Sequence, residues 1–194
     1  MHEPMTVRSL TTRPVVTLGG DAVAQVKDTV LDAGAGHVTG FTLSGRGLLS
    51  GALKRALPWP AVHSLGHDAV MIRDLRDLTP AAVVMAGGEA LRSRVLGARV
   101  VTDAGTEVGT VLDVVVEGGT GGRVVGFRIA ARKAFVPGSR HRRRRVYVPR
   151  GETLDVCGRT LVIPAETARR AAEDLRDLAA RLGVSHAARK GPLP

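Results

Sequence analysis

Short apolar runs rich in valine alternate with glycine-rich turn sequences along most of the chain. The turns include GGD at 19–21, DAGAGH at 32–37, DAGTE at 103–107 and EGGTGGR at 117–123. Short runs of this kind bounded by such turns are typical of β-strands, because glycine supplies the positive φ angles that tight hairpins require. The pattern therefore predicts a mainly β protein.

The pattern is also repeated within the chain. The segment 14–43 aligns with 99–129, and each copy continues through a basic, irregular stretch into two further strands. The matched motifs are VVT at 15–17 and 100–102, GF at 40–41 and 126–127, LPWP at 57–60 and VYVP at 146–149, and AVMI at 69–72 and TLVI at 160–163. Two copies of one small unit account for the length of the chain better than a single domain does.

Valine spacing in the second strand of each copy predicts a β-bulge. Val23 and Val26 are three positions apart, whereas Val26, Asp28 and Val30 are two apart. A strand that loses one step of its two-residue period contains a bulge, here near Ala24 and, in the second copy, near Gly109. A bulge bends a strand, so each copy is predicted to close into a small, strongly bent barrel. The positions predicted to point into the barrels are Val26, Val30, Val111 and Val115.

Two pairs of segments carry a resemblance to a known family. They are RPVVTLGGDAVAQVKDTVLD with LPWPAVHSLGHDAVMI, and GARVVTDAGTEVGTVLDVVVE with VYVPRGETLDV. Each pair resembles the PRC-barrel domain, the fold shared by the cytoplasmic part of the photosynthetic reaction-centre H subunit and the C-terminal half of a ribosome maturation factor. The resemblance covers most of 10–74 and 96–164. The first copy departs from the pattern at Thr12-Arg13, which replace a leading glycine, and at Ala24.

The predicted architecture is two tandem PRC-like barrels with a short helical linker and a C-terminal amphipathic helix. The expected boundaries are 8–76 for the first barrel, 77–96 for the linker, 97–164 for the second barrel, 165–184 for the helix and 185–194 for a tail.

Sequence signals for helix ends support helices in the linker and near the C-terminus. In the linker, Pro80 can begin a helix and Gly87 interrupts it, so only short helical pieces are expected. Near the C-terminus, Pro164 and Gly183 flank a helical pattern. Its apolar stripe consists of Ala168, Ala171, Leu175, Leu178 and Leu182, which predicts docking on a barrel or on a second chain.

A run of arginines stands out from this β pattern. The net charge is +10, and five of the positive charges belong to Arg140, Arg142, Arg143, Arg144 and Arg145. The run is predicted to form an exposed loop of the second barrel. It could bind phosphates of nucleic acid or an anionic membrane surface, or contact an acidic partner protein. A solvated loop without a ligand is the alternative.

Composition restricts the possible chemistry. Aromatic residues make up 3% of the chain, which disfavours recognition of bases by stacking. Cys157 is the only cysteine, so an intramolecular disulfide is excluded and a cytoplasmic location is expected. The first residues have no apolar signal-peptide core, and no apolar run approaches the roughly 20 residues of a membrane-spanning helix.

No set of residues forms a recognisable catalytic or metal-binding signature. His63 and His67 are four apart, but they flank a turn, where this spacing does not place them on one face. The glycines of 44–51 lack the lysine and hydroxyl residue of a phosphate loop. Asp28 and Asp113 match across the repeat, which favours a structural role in separate barrels. We expect no catalytic residue, cofactor or metal.

The expected function is that of a non-enzymatic cytoplasmic binding or assembly module, which the resemblance also implies. One alternative is an RNA- or DNA-binding accessory protein that uses the basic loop 140–145, and another is a peripheral adaptor of a membrane complex. A protein partner is expected, a polyanion is the alternative ligand, and a homodimer is compatible with the sequence.

Overall fold

We describe the fold from a computed structural model of the chain. The residues described are 3–32, 34–47, 50–90, 95–133, 135, 143–150, 155–157 and 159–189, with only the backbone described at 89–90, 143–144, 155–157 and 183–189.

The first half of the chain contains nine strands and two helices among the described residues. In chain order they are β1 (Pro4–Thr6), α1 (Val7–Leu10), β2 (Pro14–Thr17), β3 (Ala22–Asp32), β4 (His37–Ser44), β5 (Ala52–Pro58), β6 (Val62–Leu65), β7 (Val70–Ile72), β8 (Thr79–Pro80), α2 (Ala81–Ala86) and β9 (Glu89–Ala90). Short 3-10 turns occupy Trp59–Ala61 and Leu75–Asp77.

The second half repeats this order. Its elements are β10 (Arg99–Thr102), β11 (Glu107–Glu117), β12 (Val124–Arg132), β13 (Arg143–Pro149), β14 (Asp155–Cys157), β15 (Thr160–Ile163), α3 (Ala165–Arg169) and α4 (Leu175–Arg189).

Each half forms one strongly bent sheet. The first sheet has the order β6-β7-β2-β3-β4-β5-β8, and the second has the order β13-β12-β11-β10-β15-β14. In both sheets the first strand of the repeat pairs in parallel with the last one, β2 with β7 and β10 with β15. We call β2–β8 with α2 the first unit, and β10–β15 with α3 and α4 the second unit. The predicted fold class, two tandem barrels with a helical linker and a C-terminal helix, is confirmed.

The predicted bulge is present in both long strands. Val15 pairs with Ala24 and Val16 with Ala22, so that Val23 is left out of the β2–β3 ladder. The β10–β11 ladder shifts in the same way, between Gly109 and Glu107. This confirms the interpretation of the valine spacing.

A second bulge, which the sequence analysis missed, changes the side of the sheet to which the following side chains point. Val26 pairs with Leu43 but Asp28 pairs with Thr42, which leaves out Lys27. Val26 therefore packs in the main core, whereas Val30 packs with α2 on the outside of the sheet. The equivalent shift between Val111 and Asp113 places Val115 outside, under α4. All four predicted valines are buried, but the inward direction was wrong for Val30 and Val115.

A single hydrophobic core extends through both units. It contains Val15 and Phe41 from the first unit and Val100 and Phe127 from the second, each exposed by 3% or less. Val7 and Leu10 of α1 belong to the same cluster. The two sheets therefore pack against each other through one shared core.

The two units also exchange short strands. Strand β1, which precedes the first unit, pairs with β11 of the second unit, with Met5 opposite Val116. Strand β9, which precedes the second unit, pairs with β3 of the first unit, with Glu89 opposite Leu31. Each long strand is thus completed by the segment that leads into the other unit.

A pseudo-twofold axis relates the units. His37, the first residue of β4, and Arg123, the residue before β12, form an antiparallel bridge with each other. Next to it the Val38 N–H donates to the Gly122 carbonyl (2.8 Å), and the Val124 N–H donates to the Gly36 carbonyl (2.9 Å). This reciprocal pattern is the one found across isologous dimer interfaces.

Register corrects one detail of the repeat alignment. Gly40 pairs with Pro58 in the first unit, and Gly126 pairs with Pro149 in the second. Pro58 is therefore the equivalent of Pro149, whereas the sequence alignment had matched Pro60 to it. The error arose because both prolines of LPWP fit the repeated pattern.

The helix predicted over 165–184 is observed as α3 and α4, with a break between them. Ala172 interrupts the helix because its main chain exchanges two hydrogen bonds with Tyr147 of β13 (2.8 and 2.6 Å). Asp174 then begins α4 by accepting a hydrogen bond from the Asp177 N–H (2.8 Å). As a result Ala172, rather than Ala171, is fully buried.

Candidate interaction surfaces

The repeated glycines of the Gly-Phe motifs make room for the adjacent strands and for the outer helices. A Cβ at Gly40 would lie 2.5 Å from the Leu57 carbonyl of β5 and 2.6 Å from the Val84 Cγ1 of α2. A Cβ at Gly126 would lie 2.7 Å from the Val148 carbonyl of β13 and 3.2 Å from the Leu178 Cδ2 of α4. These glycines are therefore explained by packing, and α2 and α4 are equivalent covers on the two sheets.

The repeated aspartates also have a structural role. Asp113 is fully buried, and its Oδ1 accepts hydrogen bonds from the Arg8 N–H (3.1 Å) and the Val114 N–H (2.9 Å). Arg8 belongs to α1, so the Asp113 carboxyl fastens the N-terminal segment to the second unit. Burial raises the pKa of Asp113, against the opposing effect of these hydrogen bonds. Asp28 accepts the equivalent bond from the Thr29 N–H (2.9 Å).

One candidate surface is the outer face of α2. The helix has the sequence AAVVMA, without a polar side chain. Val84 is buried against Val30 and Ala56, but Val83 is 60% exposed and Met85 is 39% exposed. Ala82 and Ala86 are also exposed. A helix that is apolar on all sides normally has cover on all sides, so this face is a candidate contact for a partner.

The equivalent helix of the second unit differs at these positions. On α4, Leu178 is buried under the helix as Val84 is, but the neighbouring Asp177 forms an ion pair with Arg181 (2.8 Å). The outer face of α4 is therefore polar. Since both helices cover the same kind of sheet, the fold does not require the apolar outer face of α2.

A second candidate surface is the basic hairpin, which we define as β12 and β13 with the residues flanking their connection. Arg132, Lys133 and Arg145 are exposed on it. Arg132 forms an ion pair with Glu107 (2.5 Å). In the ladder, Arg143 lies opposite Arg132.

The predicted anion-binding residues fall only partly on described structure. Arg140 and Arg142 lie outside the described residues, and for Arg143 and Arg144 only the backbone is described. The prediction of a loop over 140–145 needs correction, because Arg143–Pro149 forms strand β13. The arginines at its start extend the β12 ladder instead of leaving it, since an extended backbone satisfies its hydrogen bonds against β12.

The family was decided by comparison with known proteins. The family model of the PRC-barrel domain matches residues 3–78 and 87–169. The chain belongs to the PRC-barrel family. Both matches begin before the exchanged strands β1 and β9, so each PRC-barrel domain includes the strand that it contributes to the other. The comparison with curated proteins found no match.

Other predicted sites of the PRC-barrel pair can be located as follows. His67 contacts the neighbouring Asp68 (3.1 Å), and both side chains are largely exposed. His63 is exposed as well, and no group of three metal-ligating side chains occurs within the described ranges. Cys157 lies in β14, with its side chain outside the described set. Gly45 and Gly47 of the 44–51 loop both approach Ser50.

Arg13 was missed as a structural residue by the sequence analysis. It is 8% exposed, and its guanidinium donates to the Ser9 carbonyl (3.0 Å), to the Gly66 carbonyl and to the Met5 sulfur (3.4 Å). It lines a cavity of about 370 Å³ beside β1. Because the two terminal nitrogens of Arg13 already bond to the protein, the residue fastens the N-terminal segment to the first domain. Burial lowers the pKa of Arg13.

No helix in the described ranges is long and apolar enough to span a bilayer.

Proposed function

We propose that the protein is a non-enzymatic, cytoplasmic binding module that docks a partner protein through the outer face of α2, the helix that packs on the first PRC-barrel domain. The observation that carries this proposal is the exposure of Val83 and Met85 on a helix without polar residues. Exposed apolar side chains that lie together favour a protein contact, because burying them removes apolar area from water.

The comparison between the two domains supports this role. The buried positions Val84 and Leu178 are both apolar, as their shared packing requires. The outward positions differ, with Val83 and Met85 on α2 and the Asp177–Arg181 ion pair on α4. Apolar outward residues therefore serve something other than the barrel, and a partner surface accounts for them.

Site-specific photo-crosslinking in cells tests the proposal. A photo-reactive amino acid at Val83 should give a discrete crosslinked partner, because this side chain points away from the sheet. The same amino acid at Arg176, an exposed position of α4, is the matched control and should give none. Adding Met85→Glu should reduce the Val83 crosslink by placing a charge in the contact.

Folding and binding are separable at these positions. Val83 is 60% exposed, so Val83→Glu should change the free energy of unfolding by no more than about 0.5 kcal/mol. If the Val83 position gives no partner, or if the two positions capture the same proteins, the proposed docking role of α2 is contradicted.

Binding of a polyanion is a second candidate function. It is favoured by the exposure of Arg132, Lys133 and Arg145 on one hairpin. The ligand would be the phosphate groups of nucleic acid or of an anionic membrane surface, bound by charge. Nuclease treatment of a lysate pull-down separates nucleic acid from a protein partner, and titration with anionic vesicles tests the membrane surface.

A further inference from the structure

Strand β13 presents a long and regular edge. It is the terminal strand of its sheet, and it pairs with β12 over seven consecutive positions without a register shift. The equivalent strand β5 is different, because its ladder with β4 is irregular between Thr42 and Ser44 and because β8 covers Arg55 and Ala56. Bulges and covering strands protect sheet edges. On β13 the ladder has no bulge, and the described structure covers its outer side only through the bridge between Tyr147 and Ala172.

The hydrogen bonds of Tyr147 reveal which backbone groups face this edge. Its N–H donates to the Ala172 carbonyl and its carbonyl accepts from the Ala172 N–H, so both groups point away from β12. Backbone direction alternates along an antiparallel strand. The N–H and carbonyl of Arg145 and Arg143 therefore point to the open edge too. Within the described ranges, no residue pairs with β13 there.

The surroundings of this edge are basic. Arg145 is exposed, and the same row of the sheet runs through Ala130 and Thr110 to Arg99, which is also exposed. Paired residues share a face of the sheet, so Arg99 and Arg145 carry positive charge on one face. An extended segment that approached this edge would meet Arg145 beside backbone groups that pair with no residue of the described ranges, whereas Arg99 lies three strands further into the sheet.

We propose that the edge of β13 at Arg143–Arg145 accepts an acidic, extended segment of a partner protein as an additional strand. Main-chain hydrogen bonds would hold the segment, and its acidic side chains would match the charge of the hairpin. A polypeptide fits better than nucleic acid, because only a polypeptide main chain continues the ladder. The alternative is that the arginines simply protect the edge from pairing.

A short fluorescent peptide of alternating glutamate and threonine is the probe. It should bind the full-length protein in an anisotropy titration at low salt. The control peptide has the same sequence with N-methyl groups on its backbone amides along both edges, which keep its charge but prevent strand pairing through either edge. We expect the N-methylated peptide to bind about tenfold more weakly, because it loses main-chain hydrogen bonds.

Two protein variants separate the edge from its charge. Arg145→Pro removes an N–H that points away from β12, and it should weaken peptide binding about tenfold or more. Arg99→Ser removes the same charge from the same face without touching the edge, so its effect should be smaller. Arg145→Lys should retain binding. Thermal melting of each variant establishes that it is folded.

The results discriminate between the possibilities. Failure of the acidic peptide to bind, equal binding of the N-methylated peptide, or equal effects of Arg145→Pro and Arg99→Ser would each overturn strand addition. Stronger binding of duplex DNA that is unaffected by Arg145→Pro would overturn it in favour of a polyanion ligand. Val83→Glu should leave peptide binding unchanged, which separates this inference from the docking role of α2.

Discussion

Thr12 and Gly97 occupy the same left-handed turn in the two PRC-barrel domains. Thr12 has a φ angle of +70° and Gly97 one of +79°. In each turn the residue's N–H donates to the long strand, Thr12 to the Val26 carbonyl (2.8 Å) and Gly97 to the Val111 carbonyl (2.9 Å). The turn is thus conserved between the domains, although only the second has the residue that adopts this conformation without strain.

Thr12→Gly should stabilise the protein. A β-branched residue at positive φ costs on the order of 1 kcal/mol, and the gain should raise Tm by roughly 2–4 °C. The reciprocal variant, Gly97→Thr, should lower Tm, since it introduces the same strain and brings a Cβ to 3.2 Å from the Arg159 guanidinium. Calorimetry of both variants checks the pair, and a loss of stability in Thr12→Gly would contradict this account of the turn.

Ionisation of Asp113 should destabilise the folded protein. Burial raises the folded-state pKa of Asp113 above its ordinary value of 3.8. The folded protein then retains a proton that the unfolded chain has released, so stability falls as the pH rises from about 3.8 through the raised pKa. Asp113→Asn does not ionise and so does not lose this stability. As the pH rises through the same interval, the Tm of Asp113→Asn should therefore increase relative to that of the parent.

Melting curves at several pH values test this dependence. Asp113→Ala is the matched variant, because it also removes the acceptor for the Arg8 and Val114 amides. It should be less stable than Asp113→Asn by about 1–3 kcal/mol at every pH, because neither variant has the carboxyl that ionises. A difference between Asp113→Asn and the parent that does not change with pH would show that Asp113 ionisation does not affect stability.

Val111→Asp should unfold both domains together. Val111 is 2% exposed and belongs to the core that the domains share, so an unpaired charge there should cost several kcal/mol. The parent should unfold in one calorimetric transition, and the variant should lose it as a whole. Leu18→Asp, at a position 54% exposed, is the control and should melt like the parent. Two separate transitions would contradict a shared core.

Replacing the five arginines of 140–145 by serine should abolish binding to polyanions. If five phosphates of duplex DNA are contacted, the logarithm of affinity should fall with the logarithm of salt concentration with a slope of about −4 to −5. The replacement should leave Tm nearly unchanged, because Arg145 is exposed. Titrations with duplex DNA and with anionic vesicles provide the measurement. Binding that survives the replacement would assign it to another surface.

The strands and their first bulge could be predicted because their signals are local. The spacing of Val23 and Val26 is sufficient to place the bulge, and the Gly-Phe motifs mark equivalent strands. The direction of Val30 could not be predicted in the same way. Its side of the sheet depends on the bulge at Lys27, where no glycine or change of spacing marks the shift.

The interaction surfaces depended on long-range pairing, which leaves little trace in the sequence. The break before α4 follows from the pairing of Ala172 with Tyr147, and the partner of β1 lies more than a hundred residues away. The apolar composition of α2 was visible in the sequence. The sequence did not show which of its side chains are exposed, because only the packing of Val84 reveals that Val83 and Met85 remain outside.

The exchange of β1 and β9 has a consequence for the order in which the chain folds during synthesis. Strand β9 leaves the ribosome soon after β3, so the first barrel can be completed early. Strand β1 is made before either barrel, yet its partner β11 is made after β3 and β9. The start of the chain must therefore wait until residues 107–117 have been made, and closing so large a loop slows this step. Residues 4–6 should then gain protection from a protease during translation only after β11 has been made, and later than the neighbouring strands β2 and β3.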